Sequence, residues 1–166
     1  ASPVPPAVLA TDDDDPRRQA AIARSAAMVE NDPQAMKLHL FDTDATEEDH
    51  DVLGMAMAAQ YNILPVPAYR SWWRKADMRP AYAFHRRTLQ LLQSERPPNL
   101  WILKNPHYKF HFEDIVSVYP DAKFVFTHRD PVKALSSYFS FVVLHYPPGV
   151  VDAVGHEKIA RDIYDH

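Results

Sequence analysis

The feature that most narrows what this chain can become is its glycine supply: three glycines, Gly54, Gly149 and Gly155, stand against fifteen prolines in 166 residues. A loop that cradles a phosphate brings several backbone N–H groups up to the anion, usually with glycines set between a strand and a helix. These three scattered positions cannot assemble such a loop. Anion recognition must therefore rest on side chains and helix termini. The opening stretch 1–10 is proline-rich, shows little periodicity and starts at Ala1 rather than a methionine, the pattern expected of a fragment whose upstream part is missing.

With 46% apolar and 24% charged residues, the chain is expected to fold as one domain with a hydrophobic core, which removes disordered and fibrous readings. A net charge of −4 gives no general attraction to nucleic acid, so any anion site must be a local basic cluster. The absence of cysteine excludes disulfides, thiolate metal ligation and a cysteine nucleophile. It is compatible with a reducing cytoplasm, where the chain is expected to reside. No run approaches the roughly 20 apolar residues of a membrane span, and no basic-then-apolar leader is visible.

Residues 11–95 read as mainly helical. Asp12 to Asp15 precede Pro16, a carboxylate cap with proline at the first helical position, and Ile22, Ala26 and Val29 then share one face. Thr46 and Asp49 resemble a capping box for a second helix carrying Val52, Met55, Ala56 and Ala59 inward. Pro65 and Pro67 break the pattern before a short helical stretch with Tyr69, Trp72 and Trp73, aromatics that suit core packing better than an acceptor pocket. A long helix over 80–94 puts Tyr82, His85, Leu89 and Leu92 on one side.

The second half changes character. Leu100 to Leu103 and Lys123 to Thr127 are short apolar runs that predict buried parallel strands, with a helix over about 108–118 between them carrying Phe112, Ile115, Val116 and Tyr119. Strand, helix, strand within about thirty residues predicts a right-handed βαβ unit. Asp130 caps a further helix with Pro131 at its first position, running toward Leu144, and a weakly amphipathic segment covers about 152–164. The expected class is α/β, with 100–144 as a strand-helix-strand-helix nucleotide-binding core in a single domain over 1–166.

In an open α/β sheet, ligands sit beyond the carboxyl ends of strands, and Arg129 stands at such an edge, just before a helix whose amide dipoles favour an anion. Its planar fork of donors fits a phosphate, and the Ser137 hydroxyl, two turns along the helix, can add a hydrogen bond. The competing reading pairs Arg129 with Asp130 or another acid and leaves Ser137 in solvent. His107 and His111 are one helical turn apart, a metal-compatible spacing with His128 as a candidate third imidazole, but no carboxylate or clear third ligand completes a set, and no metal site is expected.

The segment from Trp101 to Phe141, reading WILKNP, then YPDAKFVFTHRDP, then SSYFS, resembles the central block of the bacterial-type sulfotransferases. The opening SPVPP and the stretch MRPAYAFHRRTLQLLQ from Met78 to Gln93 are also similar to that family. The resemblance implies a three-layer parallel sheet of the P-loop, nucleoside-kinase-like type, with a large helical segment in the N-terminal half. It implies sulfuryl transfer from 3′-phosphoadenosine-5′-phosphosulfate (PAPS), a cosubstrate, to a hydroxyl or amine on a small-molecule, lipid or carbohydrate acceptor. Arg129 and Ser137 then take the roles of the family's 3′-phosphate-binding arginine and serine. Lys104, at the end of the other run, takes the place of a catalytic lysine. His107 is the candidate base, although the family's commoner spacing falls on Tyr108, and His111 is a further alternative. Lysine, arginine and amide dipoles can carry the charge stabilisation, so no metal is required.

The family's glycine-containing loop for the 5′-phosphosulfate has no counterpart in 1–10, and the resemblance puts it upstream of Ala1. The chain by itself is therefore expected to be inactive. Two rival readings follow: a non-catalytic nucleotide-binding fragment or pseudoenzyme, and a nucleotide kinase relative, which the absence of a Gly-Lys-Ser/Thr sequence disfavours. An oligomer is compatible with the sequence.

Overall fold

The computed structural model of the protein describes residues 7–9, 11–31, 33, 42–59, 66–146 and 149–164. The 2–6 opening, Pro65, Pro147 and Pro148 lie outside them. The described elements are α1 (Pro16–Asn31), α2 (His50–Met55), α3 (Pro67–Trp73), α4 (Arg79–Gln93), a 3₁₀ turn (Tyr108–Phe110), α5 (Phe112–Val118), α6 (Pro131–His145), α7 (Val150–Val154) and α8 (His156–Tyr164).

The expected three-layer parallel sheet of the P-loop type is overturned: no described residue lies in a β-strand. Residues 100–105 and 122–130 have no regular secondary structure. Their apolar side chains are not enclosed on two faces either, since Leu100 is 83% exposed, Ile102 89% and Val125 90%. A short apolar run shows that a segment is apolar and little more; a strand also needs a neighbour to take its backbone N–H and C=O groups. The βαβ unit goes with the sheet, while its helix, α5, and the helix that follows, α6, remain.

The helix starts and stops were more legible. Asp15 accepts the Arg17 N–H at 2.8 Å, and its pairing with the Arg17 guanidinium holds its carboxyl down to about 2. The Asp130 carboxylate accepts the Lys133 N–H at 2.9 Å, capping α6 as its sequence predicts. The inward face of α1 is not as expected. Ile22 and Val29 are exposed, and the buried residue of that helix is Arg18, paired with Asp44 at 3.0 Å. The capping box at Thr46 also fails: α2 begins after Asp49, whose carboxylate is engaged elsewhere and makes no cap bond. That helix ends at Met55, which is exposed, while Leu53, Ala58 and Ala59 are buried.

The chain divides into two compact units, one of residues 1–59 and 73–121, the other of residues 60–72 and 122–166. In the first, α4 packs against α2 and α5 through its buried stripe of Tyr82, His85, Thr88, Leu89 and Leu92. Proline at its start and a strongly one-sided apolar pattern explain why this segment is helical. Trp73, 2% exposed, donates its indole N–H to the Ala58 carbonyl at 2.6 Å and meets Phe110 and His111 edge-on. Trp72 is exposed instead and contacts Tyr69. In the second unit, α6 packs on α8, with Val142 and Ile159 buried.

Candidate functional site

Lys104 and His107 belong to the first unit and Arg129 and Ser137 to the second.

The turn from Lys104 to His111 is built from the backbone outward. Asn105, 8% exposed, accepts the His107 N–H on its side-chain oxygen at 3.0 Å, an Asx turn that reverses the chain after the extended run. The Phe110 N–H then bonds to the His107 carbonyl at 3.1 Å and the His111 N–H to the Tyr108 carbonyl at 3.2 Å, giving the 3₁₀ turn. Lys104 leaves this turn toward solvent, its side chain 69% exposed, and its ammonium pairs with the Glu48 carboxylate. His107 is half-buried, with Trp73 edge-on at 6.1 Å and Phe110 stacked at 6.4 Å between ring centroids. Burial pushes its imidazole down to about 4 against the pull of nearby Glu48, so the ring is neutral at pH 7.

Beneath the turn lies a buried polar network that sequence reasoning missed. The Tyr108 hydroxyl donates to Asp49 Oδ2, and His85 Nε2 meets the same oxygen at 2.7 Å. His85 Nδ1 lies 2.6 Å from the Tyr119 hydroxyl. With Asp49 ionised, Nε2 carries the proton and donates to it, and the Tyr119 hydroxyl donates to Nδ1, a tautomer assigned from partner chemistry. The His85 side chain is fully buried and that of Asp49 is 9% exposed. Burial, then the Asp49 charge, pushes the Tyr108 phenol well above its ordinary range. Tyr108 is thus a committed donor, while the His107 ring is neutral at pH 7. His111 is buried, its Nδ1 3.5 Å from Asp114, and burial lowers its pKa. The sequence did carry one signal for this network: a histidine on the inward stripe of α4 requires polar partners, although it does not say which.

In the second unit, Arg129 immediately precedes the Asp130 cap and Ser137 sits on α6, both exposed. The Asp130 carboxylate bonds to the Lys133 N–H at 2.9 Å. Among the described residues, no cluster of three or more His, Asp or Glu side chains is placed to hold a metal ion.

The sequence profile described as the sulfotransferase family matches residues 2–161 of the 166. No curated protein and no solved structure matches the chain. A match over nearly the whole length, covering both the Lys104 turn and the Arg129 junction, establishes that this chain belongs to the sulfotransferase family.

Proposed function

We propose that the reaction is transfer of a sulfuryl group from PAPS to a hydroxyl or amine acceptor. Arg129 and Ser137 bind the 3′-phosphate of the nucleotide. Lys104 stabilises the leaving oxygen and His107 is the base. In the step itself the acceptor oxygen or nitrogen bonds to sulfur as the bond from sulfur to the 5′-phosphate oxygen breaks. The bonding pair stays on that oxygen, giving 3′-phosphoadenosine-5′-phosphate, and the acceptor proton passes to His107. Sulfuryl transfer resembles phosphoryl transfer in needing positioning and charge stabilisation more than covalent help from the protein. The observation that carries the reading is a neutral, half-buried His107 three residues from a solvent-facing lysine ammonium, in a chain of this family.

The test is transfer of radiolabelled sulfate from PAPS to a panel of phenol, alcohol and amine acceptors, by protein expressed from its complete reading frame. Lys104→Ala and His107→Ala are each expected to lower turnover by roughly 100-fold or more with nucleotide affinity nearly unchanged. Full activity in His107→Ala, together with a loss of that size in Tyr108→Phe or His111→Ala, moves the base and overturns the assignment.

A further inference from the structure

Every contact that Lys104 and Tyr108 make with α2's leading residues converges on one dipeptide. Glu48 takes the Lys104 ammonium. The Asp49 N–H donates to the Lys104 carbonyl at 3.2 Å, and its carboxylate takes the Tyr108 hydroxyl. The turn is thus held at Lys104 and Tyr108, on either side of His107, from a segment more than fifty residues away in sequence.

We propose that Glu48 and Asp49 are positioning residues for sulfuryl transfer, a two-residue clamp that sets the Lys104 ammonium and the His107 ring, with His85 and Tyr119 locking the clamp from below. This rests on the reading of Lys104 and His107 as catalytic. Glu48 fixes the ammonium at the end of a four-carbon stem that otherwise samples many rotamers. Asp49 acts on the backbone. Its N–H fixes the peptide at Lys104, and its carboxylate fixes the ring next to His107. A carboxylate with two donors on one oxygen, in a site 9% exposed, cannot shift without breaking both bonds. His85, fully buried between Asp49 and the Tyr119 hydroxyl, ties the clamp to α4 and to the end of α5. The second oxygen of Asp49, Oδ1, is buried without a hydrogen-bond partner among the described residues. The two contacts of this carboxylate, with His85 and Tyr108, converge on Oδ2.

The network also explains why Tyr108 does not compete with His107 as base: the phenol proton is committed to Asp49. The groups around the His107 ring are Glu48, His50, Lys104 and Lys109, with Trp73 and Phe110 as its apolar walls. Releasing the turn gives the ring to water and brings its titration back toward the ordinary value for histidine.

The experiment uses Tyr108→Phe, which keeps the ring and removes only the hydroxyl, and Glu48→Gln, which removes the charge from the half of the clamp that holds Lys104. Asp49→Ala is avoided because it leaves His85 buried without its acceptor. Two readouts are taken on protein from the complete reading frame. The first needs no turnover: the His107 ring resonance followed by NMR against pH, with exposed His156 as internal control. In Tyr108→Phe the His107 midpoint is expected to rise by about one unit or more while His156 is unmoved. The second is steady-state sulfate transfer, where each variant is expected to lower kcat roughly 10- to 100-fold at unchanged KM for the nucleotide. An unmoved His107 titration in Tyr108→Phe overturns the clamp whatever the rates. So does wild-type kcat in both variants when Lys104→Ala is inactive. If Lys104→Ala is itself fully active, the catalytic reading has failed, and the NMR arm still decides whether the clamp exists.

Discussion

Protonating His107 should weaken the fold over a defined pH window. In the unfolded chain this imidazole titrates near 6.5, and in the folded protein burial holds it down to about 4. Below pH 6.5 the unfolded state therefore binds a proton that the folded state refuses. The stabilisation is fully present above 6.5, declines as pH falls, and is gone at about 4. The complete shift corresponds to at most about 3 kcal/mol, of which about 2 kcal/mol is lost by pH 5. His107 is only half-buried, and solvent reaching the ring reduces the expected loss at pH 5 to about 1 kcal/mol. The assay is urea unfolding of wild type and His107→Gln at pH 7.5 and pH 5, taking the difference of differences so that other titrating groups cancel. The wild type should lose about 1 kcal/mol more than the variant between the two pH values. Parallel losses would show that the ring is solvated in the folded state and that its neutrality at pH 7 owes nothing to this site. The same shift places the acid limb of kcat for sulfate transfer below the ordinary histidine range, toward pH 4, if His107 is the base.

Trp73→Phe removes the indole donor from the buried Ala58 carbonyl and leaves space against His111, and should cost about 2–3 kcal/mol by urea denaturation. Asp130→Ala deletes the cap on the Lys133 N–H and should destabilise by about 1 kcal/mol. Its direct readout is faster hydrogen exchange confined to the first turn of α6, and unchanged exchange there contradicts the capping role.

What the sequence revealed and concealed divides along physical lines. Local signals were legible: Asp130 before Pro131 caps its helix, and the stripe of Tyr82, His85, Leu89 and Leu92 is buried on α4. Such signals depend on residues within a turn or two of one another. Leu100 to Leu103 and Lys123 to Thr127 predicted strands, but strand formation depends on a distant partner, and neither run has regular secondary structure. For the same reason the sequence pointed to Lys104 and His107 without disclosing what surrounds them. Asp49 looked like a capping residue from its spacing to Thr46, whereas its carboxylate serves His85 and Tyr108, 36 and 59 residues away. Met55 and Ile22 fit apolar faces by period alone and are exposed, because periodicity describes a face and does not supply what covers it.

We propose that this chain recognises its sulfuryl donor through the 3′-phosphate, with Arg129 as the principal contact. Titration calorimetry of wild type and Arg129→Ala with 3′-phosphoadenosine-5′-phosphate and with adenosine 5′-phosphate tests it most directly, because it needs neither an acceptor nor turnover. A charge-assisted contact to phosphate is worth about 1.5–3 kcal/mol, so the wild type should prefer the 3′-phosphorylated nucleotide by at least about tenfold, and Arg129→Ala should erase most of that preference. Equal wild-type affinity for the two nucleotides, or a preference that survives in Arg129→Ala, would contradict the account.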